Sequence, residues 1–357
     1  MSARRRWLWR GVGGLLGTLV VYLTMWPTPV DPIAREVPEP PALTGVYAPN
    51  EALRGGTRSV VLGHGPEDVA IGPDGMIYTG MFDGRILRLP PTLDRVETFA
   101  DTGGRPLGLA FDRDGDLWVA DAHRGLLEID GRGTVTVLAT AAGGVPLRLA
   151  DELAMAPDGT IWLSDASQRF AVEDYLLDAL ENRATGRLIA YDPRTGQTRV
   201  ALEGLRFANG VAVAHDGSFV LVAETYDYRV TRLWLSGPRA GNVDTLIENL
   251  PGFPDNLTLD DDGTLWIGLA SRRSEMLDPL LPHPWLRKVV ARIPRALQPE
   301  PPRYGFVIGV APDGTVRHNL QDPRGDVFAV TSAVPSGDTL VLGSLHMDAI
   351  VRVPRPR

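Results

Sequence analysis

Four oxygen-bearing side chains recur at one fixed distance from a tight turn. Glu67, Asp151, Asn209 and Asp255 each lie eight residues before the glycine of such a turn. Equivalent repeats would bring these side chains to one place, where carboxylates in a partly dry site repel one another. A hard cation relieves this repulsion, and Ca²⁺ takes roughly six to eight oxygen ligands. The spacing therefore predicts a calcium site. The alternative is that each side chain only caps the start of a strand.

The turns themselves indicate a repeated unit. Segment 65–80 has the pattern of a strand, a tight turn at Asp74-Gly75 and a returning strand, because apolar residues alternate on both sides of the turn. The pattern recurs, and its turn glycines are Gly75, Gly115, Gly159, Gly217, Gly263 and Gly337. Their spacing is typical of propeller blades of roughly 40–50 residues, with insertions in two intervals. The sequence predicts an all-β fold, a six-bladed β-propeller whose first strands begin at one mouth of a central channel.

The same counting places two apolar residues, Leu107 and Ala329, at the ligand position of the remaining repeats. Those two repeats are therefore expected to contribute no ligand. Asp68 follows Glu67 directly, and side chains alternate between the two faces of a strand. We therefore expect Asp68 to point away from the site.

The two long intervals carry helical patterns. Apolar residues recur at helical spacing within 172–182 and again within 271–303, each beginning where a returning strand ends. This predicts two helical insertions at the mouth that carries the carboxylates. They would form a lid over the channel, or contact a membrane through a basic amphipathic face, or pack on the propeller rim.

The last repeat reaches the end of the sequence without a fourth strand. A lone strand-like segment, 58–62, precedes the first repeat. An unpaired sheet edge is a liability that folds avoid. We therefore expect segment 58–62 to complete the last blade, so that both ends of the chain close the ring.

Charge and composition exclude several function classes. The chain of 357 residues has a net charge of −8, and residues 1–10 contribute four arginines and no acid, so the remainder is more acidic still. This charge argues against nucleic acid as a partner and is compatible with a cation site. The absence of cysteine excludes a disulfide framework and a thiolate metal or nucleophile site.

Residues 1–26 combine early arginines with the uncharged run 11–26 and with flanking aromatic residues of the kind found at membrane interfaces. This predicts a signal-anchor transmembrane helix, and a cleaved signal peptide is the alternative. Because the arginines precede the run, the propeller is expected on the extracytoplasmic side, periplasmic or lumenal. Residues 27–50 are rich in proline and indicate an extended spacer, and residues 51–357 are assigned to the propeller.

Three motifs resemble a known family. They are Phe207-Ala208-Asn209-Gly210-Val211, Leu221-Val222-Ala223-Glu224-Thr225 and Pro251-Gly252-Phe253-Pro254-Asp255-Asn256. The chain resembles the strictosidine synthase-like branch of the gluconolactonase and paraoxonase superfamily from about Arg58 onward. The resemblance implies a six-bladed propeller with Ca²⁺ in its channel.

By the same motifs, the resemblance assigns Glu67, Asn209, Asp255 and Asn256 as calcium ligands. Where the family has Asn-Asp in blade three, this chain has Asp151-Glu152. Asp151 can still bind the metal, and its added charge should strengthen cation binding. The change also removes an amide that could donate to a substrate oxygen.

Hydrolytic members of the superfamily cleave lactones, aryl esters and phosphotriesters. The resemblance therefore implies a calcium-dependent hydrolase of a small-molecule ester or lactone. Paraoxonases use a histidine near the mouth as proton acceptor, and here His123 returns to that mouth eight residues after its turn glycine. The alternatives are that His123 is a plain surface residue, that His346 is the base, or that Asp151 or Glu152 accepts the proton.

Two other functions stay open at this point. One is a non-catalytic propeller that binds a partner or a lipid and holds calcium as a structural ion. The other is carbon–nitrogen bond formation of the strictosidine synthase kind. The catalytic glutamate of that reaction has no counterpart that the motifs identify in this chain.

Overall fold

The computed structural model describes residues 3–298 and 301–356, which form two compact units. The larger unit contains Pro38–Glu173, Ala184–Arg273 and the residues from Pro302 onward. The smaller unit contains the described residues up to Val37, Asp174–Arg183 and those of Ser274–Pro301. The domain boundaries expected from the sequence stay a prediction.

The larger unit contains six four-stranded antiparallel sheets, each of which is one blade of a propeller, and a two-stranded sheet formed by Ala141–Ala142 and Val145–Pro146. The strands up to the end of blade three are β1 (Thr57–Arg58), β2 (Val69–Ile71), β3 (Ile77–Gly80), β4 (Arg85–Leu89), β5 (Glu97–Asp101), β6 (Pro106–Phe111), β7 (Leu117–Asp121), β8 (Gly125–Ile129), β9 (Val135–Ala139), β10 (Ala141–Ala142), β11 (Val145–Pro146), β12 (Ala150–Met155), β13 (Ile161–Asp165), β14 (Gly186–Asp192) and β15 (Gln197–Leu205). The strands of blades four to six are β16 (Ala208–Val213), β17 (Phe219–Glu224), β18 (Arg229–Trp234), β19 (Val243–Ile247), β20 (Gly252–Leu259), β21 (Leu265–Arg272), β22 (Gly305–Val310), β23 (Val316–Asp322), β24 (Val330–Ser336), β25 (Thr339–Ser344) and β26 (Val351–Pro354). The predicted all-β, six-bladed propeller is confirmed.

The first strands of the blades form the inner ring. Each of β2, β6, β12, β16, β20 and β24 contacts the first strands of its two neighbours, and β2 contacts β24 to close the circle. The ring closes in the predicted way, because β1 is the fourth strand of blade six: Thr57 pairs with Arg352, and Arg58 pairs with Val351.

Alternation of side chains explains why the second strands of blades one to three are wholly buried. Every residue of β7 is buried. Leu117 and Val119 pack in a cluster with Tyr78 of blade one, whereas Trp118 and Ala120 pack in a cluster with blade three. Each blade is thus covered on both faces by its neighbours, and its apolar residues need no solvent-facing side.

The hairpin turns are built by their aspartates and glycines. In the first turn, Gly75 has a φ of 75°, in the left-handed region that glycine adopts without strain. Asp74 accepts a hydrogen bond from the backbone N–H of Met76 at 3.0 Å and another from the hydroxyl of Tyr78 at 3.0 Å. The short aspartate therefore fixes both the turn and an aromatic side chain of the returning strand.

The last hairpin is shorter than the others. Strand β24 ends at Ser336 and β25 begins at Thr339, so counting eight residues back from Gly337 passes the start of the strand. Ala329 lies just before β24, with a left-handed φ of 48°. The sequence count predicts Ala329 as the residue of blade six that corresponds to Glu67. That prediction is wrong.

The smaller unit is helical. Its helices are α1 (Ala3–Met25), α2 (Tyr175–Glu181), α3 (Leu277–Leu280) and α4 (Pro284–Val290). The fully buried guanidinium of Arg287 donates to the carbonyl oxygens of Leu180, Glu181 and Leu281. One α4 side chain thus joins both insertions, and the predicted helices in the insertions are confirmed.

The predicted transmembrane helix over residues 1–26 is not found. A helix does form there, but no helix in the described ranges is both long enough and apolar enough to cross a membrane. The 23 residues of α1 include four arginines and four glycines, which leave a short apolar run.

Candidate functional site

The predicted ligands lie where the inner strands lose their regular register. The pairing of the first two strands shifts, as at a β-bulge, in blades two to six. A bulge turns a side chain away from the direction that strict alternation would give it, and bulges are common near functional sites. The residues at these shifts are Leu107, Asp151-Glu152, Asn209-Gly210, Asp255-Asn256 and Thr331-Ser332. In blade one, Glu67 and Asp68 immediately precede β2.

Five carboxyl groups meet in the channel. The channel cluster consists of Glu67, Asp68, Asp151, Glu152 and Asp255, and none of them is more than 6 % exposed. Burial is the main cause that raises the pKa of each of these groups. Their mutual repulsion raises the pKa values further in four of the five. A set of buried like charges of this kind favours either protons or a bound cation.

The members of the channel cluster influence one another. After burial, the largest influences that raise the pKa of Asp255 are Glu67 and Asp151. The largest such influence on the pKa of Glu152 is Asp68, and Asp151 and Asp255 raise it as well. The five groups therefore form one electrostatically coupled cluster.

Asp68 belongs to the channel, so the expectation that it points away is wrong. Its Oδ2 accepts the backbone N–H of Leu109 at 2.9 Å, and the side chain of Asn256 also forms a hydrogen bond with it. Burial raises the pKa of Asp68 to about 7, although these hydrogen bonds oppose the shift. The predicted ligand Asn256 thus acts on Asp68, within the channel cluster.

Two buried acceptors among the predicted ligands have no donor. Among the described residues, Oδ1 of Asn209 and Oδ1 of Asp255 receive no hydrogen bond. The neighbouring side chain of Asn209 lowers the pKa of Asp255 against the effect of burial. Buried acceptors without donors are costly, and an oxygen-binding cation satisfies them. The residues present therefore fit a calcium ion.

Arg105 places a positively charged side chain in the channel, which the sequence analysis did not predict. Its guanidinium is 1 % exposed, and Nη2 donates to Oε2 of Glu67 at 2.6 Å. Nη1 donates to the carbonyl oxygen of Gly65 at 3.3 Å. This positive charge lowers the pKa values of Glu67 and Asp151 against the effect of burial. One arginine therefore offsets part of the charge of five carboxyl groups.

The backbone of His123 lies near that of Arg105, but its side chain contacts Glu173 and not the channel cluster. Oδ1 of Asp121 accepts the backbone N–H of Arg105 at 3.0 Å and that of His123 at 2.9 Å. One carboxylate oxygen therefore holds the backbones of both residues close together. The His123 side chain is 42 % exposed, and its Nε2 lies 2.6 Å from Oε1 of Glu173. The structure brings Glu67, Asp151, Asn209, Asp255, Asn256 and Glu152 together, and it pairs His123 with Glu173 instead.

Three exposed rings lie beside the arginine. The guanidinium carbon of Arg105 is 5.2 Å from the ring centroid of Phe82. The ring of His64 lies 5.4 Å from Phe82, edge to face, and 5.8 Å from His346, stacked. The aromatic shelf, Phe82, His64 and His346, thus adjoins the Arg105–Glu67 pair.

Another acidic group lies on the turn side of blade two. Asp112, Asp116 and Glu128 have carboxylate oxygens within 4.8 Å of one another, and no other group of three or more acidic or histidine side chains among the described residues meets that distance. Asp112 is already satisfied as a turn residue, because it accepts the backbone N–H of Asp116 at 2.9 Å and Nε1 of Trp118 at 3.0 Å. The oxygens of the channel cluster are more widely spaced, so an ion would have to draw them together.

Comparison with known proteins decides the family. A family model described as strictosidine synthase matches residues 151–238, and one described as strictosidine synthase-like, N-terminal, matches residues 45–89. Adipocyte plasma membrane-associated protein of Homo sapiens is 35% identical, over 91% of this chain and 84% of that protein. The chain belongs to the strictosidine synthase-like family. Another member, strictosidine synthase-like 6 of Arabidopsis thaliana, is 35% identical over 85% of this chain and 83% of its own length.

Solved structures share the fold with this family member. A gluconolactonase from Xanthomonas campestris superposes with a TM-score of 0.63 at 17% identity, over 92% of this chain and 99% of that one. Regucalcin from Agrobacterium tumefaciens, described as a calcium-binding protein, superposes with a TM-score of 0.59 at 15% identity, over 84% and 93%. At this level of identity the likeness establishes the propeller fold.

Sequence reasoning missed three kinds of residue. Asp68 was set aside because strict alternation was assumed. Thr331 and Ser332 were missed because the last hairpin is short. Arg105 lies two residues before the apolar ring position Leu107, where no ligand pattern pointed to it. The usable signal was the pair of consecutive polar residues at the start of a buried strand, which strict alternation does not explain.

We expect the metal-free protein to lose stability through Asp68 as the pH rises from about 4 to about 7. The folded pKa of Asp68 is about 7 and its ordinary value is 3.8, so in this window the folded state holds a proton that the unfolded state has released. One such group contributes at most about 1.4 kcal/mol per pH unit.

Thermal unfolding in the presence of a chelator measures this effect. The melting temperature of Asp68→Asn should fall less steeply with pH than that of the parent. Asp114→Asn, at an exposed turn residue, is the control and should follow the parent curve. Parallel curves for the parent and Asp68→Asn would contradict the burial of an ionisable Asp68.

Proposed function

We propose that this protein is a calcium-dependent hydrolase of esters or lactones. The observation that carries the proposal is the pair of buried acceptors without donors, Oδ1 of Asn209 and Oδ1 of Asp255, in a channel lined by carboxyl groups. The names of the superposed structures, a gluconolactonase and a calcium-binding regucalcin, support the same class of chemistry.

The residues that would hold the ion are Glu67, Asp151, Asn209, Asp255 and Asn256. When bound, Ca²⁺ would act as a Lewis acid toward the carbonyl oxygen of the substrate. Around it, the chain supplies acid–base groups. His123 would accept the proton of the attacking water, and Glu173, 2.6 Å away, would orient its ring. Asp151 and Glu152 are the alternative bases, because their raised pKa values make them better proton acceptors than an ordinary carboxylate.

The aromatic shelf bears on the class of ester. Phe82 is 56 % exposed, and its ring lies between the guanidinium of Arg105 and the ring of His64. Exposed rings beside a polar site offer stacking surface to a planar group, worth about 0.5–1.5 kcal/mol for an aromatic pair. This favours aryl esters or aromatic lactones over small alkyl esters.

A panel of aryl esters, alkyl esters and lactones, assayed with and without chelator, tests the proposed activity. We expect hydrolysis that a chelator abolishes and added Ca²⁺ restores. Asp255→Asn should weaken calcium binding at least as much as the roughly 10–100-fold that loss of an outer-shell partner costs, and activity should fall with it. Asp114→Asn should bind calcium like the parent. Activity that resists chelation would remove the metal from this proposal.

The role of His123 has a separate readout. His123→Gln should lower kcat by about 10²–10⁴-fold, the usual contribution of a general base, and leave calcium affinity nearly unchanged. Glu173→Gln should lower kcat less, because the imidazole remains. Calorimetric titration with calcium accompanies both assays. Full activity of His123→Gln on every substrate of the parent would reassign the base to Asp151 or Glu152.

A second candidate function is a non-catalytic propeller that binds a partner. The Arg105–Glu67 pair favours it, because the arginine already neutralises one channel carboxylate and requires no catalytic ion to do so. The chelator panel separates the two, since a binding propeller hydrolyses none of the substrates. Carbon–nitrogen bond formation is not proposed, because the motifs identify no counterpart of the catalytic glutamate of that reaction.

We also infer that the smaller unit associates with a membrane surface. Several relatives are named plasma membrane-associated proteins. Helix α1 exposes large apolar side chains, among them Leu15 and Met25, and Trp285 of α4 is 64 % exposed. Arg292 donates to the carbonyl oxygens of Leu23 and Trp26 at the end of α1, which fixes that helix to α4. The extracytoplasmic placement of the propeller stays a prediction.

Cosedimentation of the full chain with phosphatidylcholine and phosphatidylserine vesicles tests this association. Burying one large apolar side chain contributes about 1.5–3 kcal/mol, so Trp285→Ser should weaken binding about tenfold or more. Val243→Ser, which removes an exposed apolar side chain from β19, is the control. Equal binding of both variants would exclude α4 from the contact surface.

A further inference from the structure

Arg105 has fewer bonds than a purely structural buried arginine. Arg187 in β14, equally buried, donates through Nε and Nη2 to Asp165 and through Nη1 and Nη2 to the carbonyl oxygens of Ala142 and Pro146. The guanidinium of Arg105 has one carboxylate and one long bond to Gly65, and its Nε has no acceptor among the described residues. The position of the Arg105 side chain therefore depends mainly on its ion pair with Glu67.

Glu67 is also one of the residues that would bind calcium. A guanidinium and a divalent cation cannot both lie against one carboxylate without repelling each other. Arg105 bonds Oε2 of Glu67, so an ion that uses both carboxylate oxygens must displace the guanidinium. An ion that binds Oε1 alone would lie close to the guanidinium and be repelled by it. The same arginine offsets the charge of Asp151, so it acts on two of the proposed ligands.

We propose that Arg105 is an internal competitor for the cation site, which holds Glu67 when no ion is bound and releases it when Ca²⁺ binds. This inference rests on the proposed calcium site. In the metal-free state the guanidinium reduces the repulsion within the channel cluster. Calcium binding then replaces the guanidinium of Arg105 beside Glu67 with the ion. The free energy lost when the Arg105–Glu67 pair breaks lowers the affinity for Ca²⁺.

The displaced side chain has a place to go. Phe82 lies under the guanidinium at 5.2 Å and is 56 % exposed, so it leads from the buried pair to solvent. A guanidinium over an aromatic face keeps favourable contact while it leaves the carboxylate. Phe82 therefore lies on the path by which the Arg105 side chain would leave Glu67.

Calcium titration of full-length variants tests the proposal. Arg105→Met, which keeps an unbranched apolar side chain and removes the charge, should bind Ca²⁺ more tightly than the parent by roughly 5–150-fold, the usual range of a coupling between two sites. Arg105→Lys keeps the charge and should bind more weakly than Arg105→Met. Arg232→Met, which breaks an ion pair with Asp244 in the outer strands of blade four, is the matched control and should bind like the parent.

A second measurement uses the unaltered protein, in case Arg105→Met does not fold. Phenylglyoxal modifies exposed arginines, and mass spectrometry locates the products. Arg105 should be protected in chelator and become reactive in calcium chloride, whereas Arg187 should stay protected in both. Protection of Arg105 in both conditions would overturn the proposal.

The outcomes separate this inference from the proposed function. A parent that binds calcium, with Arg105→Met binding no tighter, overturns the competitor role and leaves the calcium site intact. A variant that binds calcium when the parent does not supports the competitor role and shows that Arg105 excludes the ion. If neither binds, the calcium site and the competitor role both fall.

Discussion

Five buried carboxyl groups around one guanidinium are the constraint on which the rest of the structure depends. Like charges repel one another more strongly in a buried channel than in water, because the effective dielectric constant is lower there. A loose scaffold would relieve that repulsion by letting the groups separate. Here the first strands of six blades hold them, and the backbone carbonyl of Glu67 accepts hydrogen bonds from the hydroxyls of Thr331 and Ser332. The rigidity of the ring is therefore what keeps the charges together.

The bulges explain how a strand presents two polar side chains to the same channel. Regular strands would place Asp151 and Glu152 on opposite faces, yet both are buried in the channel cluster. The bulged backbone needs space in the next blade, and glycines provide it. A Cβ on Gly108 would collide with Glu152, and one on Gly210 would collide with the backbone of Asp255. The acidic site and these glycines are thus one packing arrangement.

Sequence reasoning reached the fold and most of the site, because both depend on local patterns. The alternation of apolar residues and the Asp-Gly turns fixed the number of blades, and counting from the turns located Glu67, Asp151, Asn209 and Asp255. It failed where tertiary geometry overrides local rules. Alternation gave the wrong direction for Asp68, since Glu67 and Asp68 lie ahead of the regular strand. Arg105 reaches the channel from the loop before β6, and no spacing rule predicts how far a long side chain extends.

The way the ring closes has a consequence for how the protein is made. Strand β1 near the start of the chain pairs with β26 near its end, and the residues that bond to the carbonyl of Glu67 belong to blade six. During synthesis the first five blades leave the ribosome with Glu67 already present and its closing partners still missing. The closing contacts of Glu67 can therefore form only after blade six has been synthesised. The last contacts of the acidic channel and the pairing that joins the two ends of the propeller depend on the same late part of the chain.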